Sequence, residues 1–449
     1  MSKETKNKAK QVSTLSLPVI NPDAAGIDVS ASMHMVAVPA DRDTNQVKQF
    51  GAFTEDLHDI ARWLQVCKIT TVAMESTGVY WKQLYIVLLQ YGFHVCLVNA
   101  RHVKNVTGRK TDIDDAQWIQ KLHSCGLLNS CFLPDDVTES LRSLVRHRKS
   151  LLEDSSKYVL RMQKSLELMN IKVQSVLSDV MGKTGSAIIK AIIEGHREPQ
   201  YFLQFVDRRV KADPATIVKS LTGNWREEQL FLLEENYMLY QLLQQRIESC
   251  DKKIESFLQL QAAVVTDGII EPADAAIKKK SKNQPCFDVR SYLHRIHRVD
   301  VTSIYGISAA TALQILSETG SDLSKWETEK HFVSWLNLCP NNKITGGKLI
   351  SSSVMKKKAG NATQAFRAAA NTLQKSDHWL GDYFRRMKSK GGNKYAIIAT
   401  ARKLAVIYYK MVRQKKEFQP LNKDQYREKY KMAKIAYLEK QLLKLKAVG

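Results

Sequence analysis

The chain has 449 residues, 44% of them hydrophobic, and carries 68 lysines and arginines against 45 acids, a net charge of +23. That length allows two or three domains with substantial cores, and that charge favours a polyanionic partner, most simply nucleic acid. No apolar run approaches the roughly 18–20 residues of a membrane-spanning helix, the lysine-rich start Met1–Lys10 is no secretory signal, and seven scattered cysteines without a CxxC pair or zinc spacing read as reduced thiols in a cytosolic protein.

Residues 1–22 read as a disordered basic lead-in. Ala25–Ser30 predicts a strand that carries Asp28 near its end. Met33–Pro39 and Val47–Phe53 predict two more strands. Leu57, Ile60, Ala61 and Leu64 have the spacing of a short amphipathic helix. Ile69–Met74 is a β-branched run that predicts a buried strand ending in Glu75, Val79–Leu89 a helix, and Phe93–Val98 another strand. The order β-β-β-α-β-α-β-α predicts an α/β domain with a mixed sheet. A basic loop, Asn105–Lys110, then gives way to a helical pattern in which Asp112 and Asp115 stand three apart on one face.

Ligands gather at the carboxyl ends of strands in open α/β sheets, so Asp28, Glu75, Asp112 and Asp115 could meet at one edge. Four carboxylates there could hold two divalent cations, a set suited to in-line phosphodiester chemistry. Taken singly, Asp28 fits a strand-end turn, Glu75 a helix-start acid, and Asp112 and Asp115 a capped helix with solvated acids. All four being incidental is harder to sustain in so basic a chain.

From Leu141 the pattern changes. Leu141, Leu144, Arg148, Leu151, Ser155, Val159, Met162, Leu166 and Met169 recur at three and four, a long helix of coiled-coil character. Its start is basic, with Arg146, Arg148 and Lys149. A second long helix is predicted over Trp225–Leu260, so the two form an antiparallel projecting hairpin, serving oligomerisation, nucleic-acid contact or both. Gln261–Val289 reads as a linker or surface insertion. In the C-terminal part Gly306 makes a tight turn, Ser308 caps the next helix, and the turn presents N–H groups to a phosphate. Phe332–Leu338 is a helix, Asn341–Lys348 a loop whose Gly346 and Gly347 allow close approach to a ligand, followed by Ser351, Ser352, Ser353 and the basic run Lys356, Lys357, Lys358. Ala365–Leu373 predicts a helix, Arg385–Lys394 a basic loop, Tyr395–Val412 a helix, and Lys423–Leu445 a charged helical tail.

Gly26-Ile-Asp28-Val-Ser, Ala73-Met-Glu75-Ser-Thr-Gly78, Lys110-Thr-Asp112-Ile-Asp-Asp115-Ala, Gly306-Ile, and Trp335-Leu-Asn-Leu-Cys-Pro340 through Gly346-Gly-Lys348 fall in one order. In that order the chain resembles the DEDD transposases of insertion-sequence family 110, a group that includes Piv-type DNA invertases and bridge-RNA-guided recombinases. The resemblance runs from about Ala25 to Pro420 and takes in Thr400–Leu404. It implies a RuvC-like, ribonuclease-H-type catalytic domain over 23–138, a helical coiled-coil arm over 139–260, a linker over 261–297, a mostly α-helical transposase domain over 298–420, and a charged tail over 421–449. It implies that Asp28, Glu75, Asp112 and Asp115 bind Mg²⁺, two ions in all. It implies a DNA transposase or recombinase that cleaves and joins donor and target duplexes through a covalent serine-linked intermediate, the acids of one subunit completed by the hydroxyl of another. It further implies a structured noncoding guide RNA, a homodimer or homotetramer, no membrane partner, and a place beside the bacterial nucleoid in the cytoplasm.

The sequence departs from the family at the nucleophile: the family's serine falls on Thr345. A threonine hydroxyl can attack phosphorus once activated, although its methyl stiffens χ1. Three outcomes stay open, in this order: Thr345 attacks; Ser351, Ser352 or Ser353 does; or strand transfer is impaired. Phosphate contact is expected from Lys110, Arg146, Arg148, Lys149, Gly306, Gly346, Gly347, Lys348, Lys356, Lys357 and Lys358. Two rival functions remain: a metal-dependent RuvC-like nuclease without a covalent intermediate, and a decayed, non-catalytic nucleic-acid-binding relative.

Overall fold

A computed structural model describes residues 18–99, 112–263, 283–353 and 360–446. The chain divides into two compact units, one ending at Leu133 and the other beginning at Pro134. Among the described residues no helix is long and apolar enough to cross a membrane.

The first unit is built on a five-stranded mixed sheet in the order β3-β2-β1-β4-β5. The strands are β1 (Ala24–Val29), β2 (Met33–Ala37), β3 (Val47–Gly51), β4 (Thr71–Glu75) and β5 (His94–Val98). β1 and β2 pair antiparallel, as do β2 and β3, whereas β4 runs parallel to both β1 and β5. The central strands carry apolar residues on both faces, as strands covered on both sides do. Helices α1 (Thr54–Val66) and α2 (Trp81–Gln90) cover one face, burying Leu57, Ile60, Leu64, Leu84 and Leu88 against Ile27, Val72 and Met74. Helix α3 (Asp112–Ser124) covers the other, where Ile119 packs with Ala73 and Val98, and Ala116 with Met35 and Ala37. The mixed α/β order read from the residues is the one observed, and it is compatible with a ribonuclease-H-like domain.

The second unit opens with α4 (Asp136–Leu168), whose N-cap Asp135 accepts from the Thr138 amide at 2.8 Å. Three short helices follow, α5 (Val173–Val176), α6 (Lys183–Ile193) and α7 (Pro214–Leu221), then the long α8 (Glu227–Ala263). Gln244 of α8 donates to Ser155 of α4 at 2.8 Å, and Arg148 of α4 pairs with Asp251 of α8. One number rises as the other falls, so the two long helices run antiparallel. Their far end is closed by a cluster including Met162, Leu166, Ile188, Phe202, Leu221 and Leu233.

The rest of the unit is a helical bundle: α9 (Val289–His297), α10 (Ala309–Thr319), α11 (Glu329–Trp335), α12 (Asn361–Thr372), α13 (Trp379–Gln414) and α14 (Lys423–Lys446). Its interior is aromatic, with Phe332 against Trp326, Phe366 and Tyr409, and Phe366 against Tyr408. Two expectations are corrected here. Arg385–Lys394 is not a loop; it is helical on both sides of a kink at Gly391 and Gly392, where φ/ψ leave the helical region. The charges misled, since a solvated helix face tolerates them as well as a loop does. Asn341–Lys348 is not a loop either. Strands β6 (Asn341–Thr345) and β7 (Lys348–Ser353) form a hairpin whose turn is Gly346-Gly347, both at positive φ. A two-residue glycine turn of that kind matches the twist of paired strands.

Candidate active site

Asp28 and Glu75 lie side by side. The parallel register of β1 and β4 ends at Ile27 opposite Met74, and the next residue on each strand is the acid. Neighbouring strands are about 5 Å apart, and alternation puts both acids on the face of Gly26 and Ala73, which α3 covers. Asp28 is partly exposed and Glu75 is buried. Glu75 accepts a hydrogen bond from the Thr77 hydroxyl at 3.0 Å and, among the described residues, makes no ion pair.

Gly26 sets how close α3 comes. A Cβ there would lie 2.2 Å from the amide nitrogen of Gln120 and 2.5 Å from the carbonyl oxygen of Ala116. Gln120 also donates from its side chain to the Ala24 carbonyl at 3.1 Å. Helix and strand thus run in opposite senses, Gly26 facing the turn between Ala116 and Gln120 while the Gln120 side chain reaches back to Ala24. Four helical residues rise about 6 Å and two strand residues about 6.6 Å, so the first turn of α3, with Asp112 and Asp115, comes alongside Asp28. Asp115 is partly exposed. The side chain of Asp112, and the whole of Lys110, lie outside the described residues.

Among the described residues no group of three or more His, Cys, Asp and Glu side chains closes round one point. The donor set nonetheless fits a hard divalent cation: two neighbouring carboxylates, one of them buried, with further acids on the helix turn above. In the last turn of α3, the His123 ring shares a hydrogen bond of 2.8 Å with the Thr71 hydroxyl, and burial, then the neighbouring His94, bring its pKa down to about 4.

The other sequence-predicted residues fall in the second unit. Thr345 is exposed at the end of β6, next to the glycine turn, with Lys348 exposed opposite it. Chain neighbours aside, none of the described residues comes within 4 Å of where a Cβ of Gly346 or Gly347 would be. Ser351 is partly exposed, Ser352 donates to the Asn342 side chain at 2.8 Å, and the Ser353 side chain is outside the described residues, as are Lys356, Lys357 and Lys358. Gly306 has φ +85, and a Cβ there would meet the Ala369 carbonyl at 2.7 Å. Its missing side chain therefore admits α12. Ser308 does cap α10, accepting from the Thr311 amide at 3.2 Å.

Of the basic run on α4, Arg146 binds the buried Glu318 through two hydrogen bonds of 2.8 Å, and Lys149 donates to Asn361 and Gln364 at 3.2 and 3.1 Å. Arg148 is withdrawn from any phosphate: it is buried, pairs with the buried Asp251, and donates to the Asn283 carbonyl at 3.1 Å. Sequence reading missed Arg142, Glu318 and Asn361, which join α4 to the ends of α10 and α12: Arg142 donates to the Glu318 carbonyl at 2.9 Å and Asn361 to its carboxylate at 3.0 Å. The signal available was the i, i+4 step from Arg142 to Arg146.

Two family models match this chain. DEDD_Tnp_IS110, described as a transposase, matches residues 25–171, which contain the sheet from the second residue of β1, its acids and all of α4. A second, described as Transposase IS116/IS110/IS902 family, matches residues 300–385, which contain Thr345 and its hairpin. No curated protein matches.

Proposed function

The chain belongs to the IS110 family of transposases, enzymes that recombine DNA, and from that premise we propose a mechanism in which the two units divide the chemistry. Asp28, Glu75, Asp112 and Asp115 form the metal-binding set of a RuvC-like domain and hold two Mg²⁺ ions. Divalent cations there supply positive charge against the charge that builds on the scissile phosphate. The Thr345 hydroxyl attacks phosphorus in line: its O–H proton is lost, a Thr–O–P bond forms, the P–O3′ bond breaks, and the 3′-oxygen takes up a proton. The ester conserves the bond for rejoining donor to target. The antiparallel pair α4–α8 acts as a coiled-coil arm in a homodimer or homotetramer, the acids of one copy acting with the hydroxyl of another. Exposed lysines such as Lys348, and the Lys356–Lys358 run, hold phosphates in a salt-dependent way, and a structured guide RNA chooses the sequence by pairing.

The observation that carries this reading is the register of β1 and β4, which sets Asp28 beside Glu75 at the carboxyl ends of parallel strands with α3 above. The test is cleavage of donor DNA by the chain purified with RNA transcribed from its flanking DNA. Asp28→Asn and Glu75→Gln should abolish cleavage and leave RNA binding intact. Wild type should leave a denaturant-resistant protein–DNA adduct on the Thr345 peptide, Thr345→Ser should keep it, and Thr345→Ala should lose it. Full cleavage by Thr345→Ala with no adduct would establish the plain nuclease instead. An adduct on Ser351, Ser352 or Ser353 would move the nucleophile along β7.

A further inference from the structure

The last helix carries an apolar face that nothing among the described residues covers. The first turns of α14 are tied to α13: Arg427 pairs with Asp382 at 2.7 Å, and the Arg386 guanidinium lies over the rings of Tyr426 and Tyr430 at 5.5 and 4.4 Å. Beyond them Met432, Ile435, Leu438, Leu442 and Leu443 are all exposed, with Ile435, Leu438 and Leu442 at the i, i+3, i+7 spacing of a helix-pairing seam. The segment is basic: Lys431–Lys446 holds five lysines and one acid, and Lys431, Lys434 and Lys440 are exposed.

The arm carries the complement. On α8, Leu233, Tyr237 and Ile247 are buried, whereas Phe231, Leu232, Met238, Leu239 and Leu242 are exposed. At 100° per residue the second set lies on the side of the helix opposite the first. This stripe is acidic, with Glu227, Glu228, Glu234 and Glu235 and no base between Glu227 and Gln245. The cations at its Leu242 end are engaged on α4 itself: Lys157 pairs with Asp154 at 2.8 Å, and Arg161 lies 5.1 Å from the Tyr158 ring. Phe231–Leu242 and Met432–Leu443 each span eleven residue steps, about 16 Å of helix.

We infer that the distal half of α14 from one copy docks on the α8 stripe of a second copy, apolar seam on apolar stripe, lysines on glutamates. Both surfaces are exposed in the same chain, so the pairing is between copies, and a reciprocal exchange closes a two-fold dimer. The inference rests on the oligomeric reading above and specifies the surfaces that build it.

The experiment uses the full-length chain with a benzoylphenylalanine photo-crosslinker in place of Leu438, mixed as isotopically light and heavy protein. Light–heavy cross-linked peptides joining 432–443 to 227–242 are expected. Met238→Asp in the arm, at an exposed position where the fold is unaffected, should lower their yield about tenfold or more. Light–light peptides alone, cross-links to nucleic acid in place of protein, cross-links to another part of the surface, or no cross-link would each overturn the inference. None of these readouts depends on cleavage, so a failed active-site reading leaves the result interpretable.

Discussion

Replacing Gly26 by alanine tests whether α3 positions the carboxylates. The added Cβ would stand 2.2 Å from one backbone atom of α3 and 2.5 Å from another. Ordinary contacts begin near 3.4–3.5 Å, so the helix must retreat by roughly 1 Å. Backbone atoms have no alternative rotamer, and α3 therefore moves as a body, taking Asp112 and Asp115 away from Asp28 and Glu75. Overpacking of this kind costs about 1–3 kcal/mol, while a 1 Å displacement of catalytic groups costs about a hundredfold in rate. Gly26→Ala should thus lower single-turnover DNA cleavage about a hundredfold, with unfolding free energy reduced only within the packing range. Gly92→Ala is the control: its Cβ meets nothing within 4 Å and its φ is +84, so it costs only the left-handed strain, about 1–2 kcal/mol, and cleavage is unchanged. Wild-type cleavage by Gly26→Ala would refute the placement of α3 over the acids.

Two further outcomes follow from the second unit. The Arg148–Asp251 pair has side chains only 8% and 3% exposed, so Asp251→Asn, which leaves the guanidinium buried without its counter-charge, should cost about 3–5 kcal/mol in urea unfolding, and replacing both by Met and Leu should recover most of it. His297 is fully buried against Tyr408, with no partner at Nδ1 among the described residues, and burial, then Lys415, bring its pKa down to about 3. The unfolded chain takes up that proton near pH 6.5 and the folded chain does not, so this contribution is complete above pH 6.5 and is lost as pH falls towards 3, at about 1.4 kcal/mol per pH unit. His297→Gln should flatten that part of the stability–pH curve, and an unchanged slope would show that His297 protonates in the folded state.

The sheet was legible because its strands are short apolar runs bounded by polar turns, and Glu75 could be placed because it ends the most continuous of them. Asp28 beside Glu75 needed the register, which no local pattern contains. Gly26 in mid-strand was the available sign of a close backbone approach. The basic run of α4 was legible in one respect and misread in another. Arg148 falls in phase with Leu141, Leu144 and Leu151, the inward stripe, and Asp251 falls in phase with Ile247 and Ile254. Helical phase, weighed above net charge, finds the buried pair. Gly346-Gly347 between Lys343-Ile344-Thr345 and Lys348-Leu349-Ile350 was a hairpin signal overshadowed by its polar neighbours.

On the proposed mechanism, the placement of Thr345 bears on when strand cleavage can begin. A threonine hydroxyl in water is a weak nucleophile and needs activation by a base or a metal. Thr345 is solvated, on a hairpin that exposes Ile344, Leu349 and Ile350 to water, and two-stranded hairpins alone are marginally stable. Burying those three side chains against a substrate complex would stabilise the hairpin and desolvate the hydroxyl in the same step. On the proposed mechanism, substrate binding energy then brings the hydroxyl to acids carried by a separate compact unit. On that mechanism the exposed apolar residues beside Thr345 would take part in the reaction's control, with the chemistry following assembly instead of preceding it.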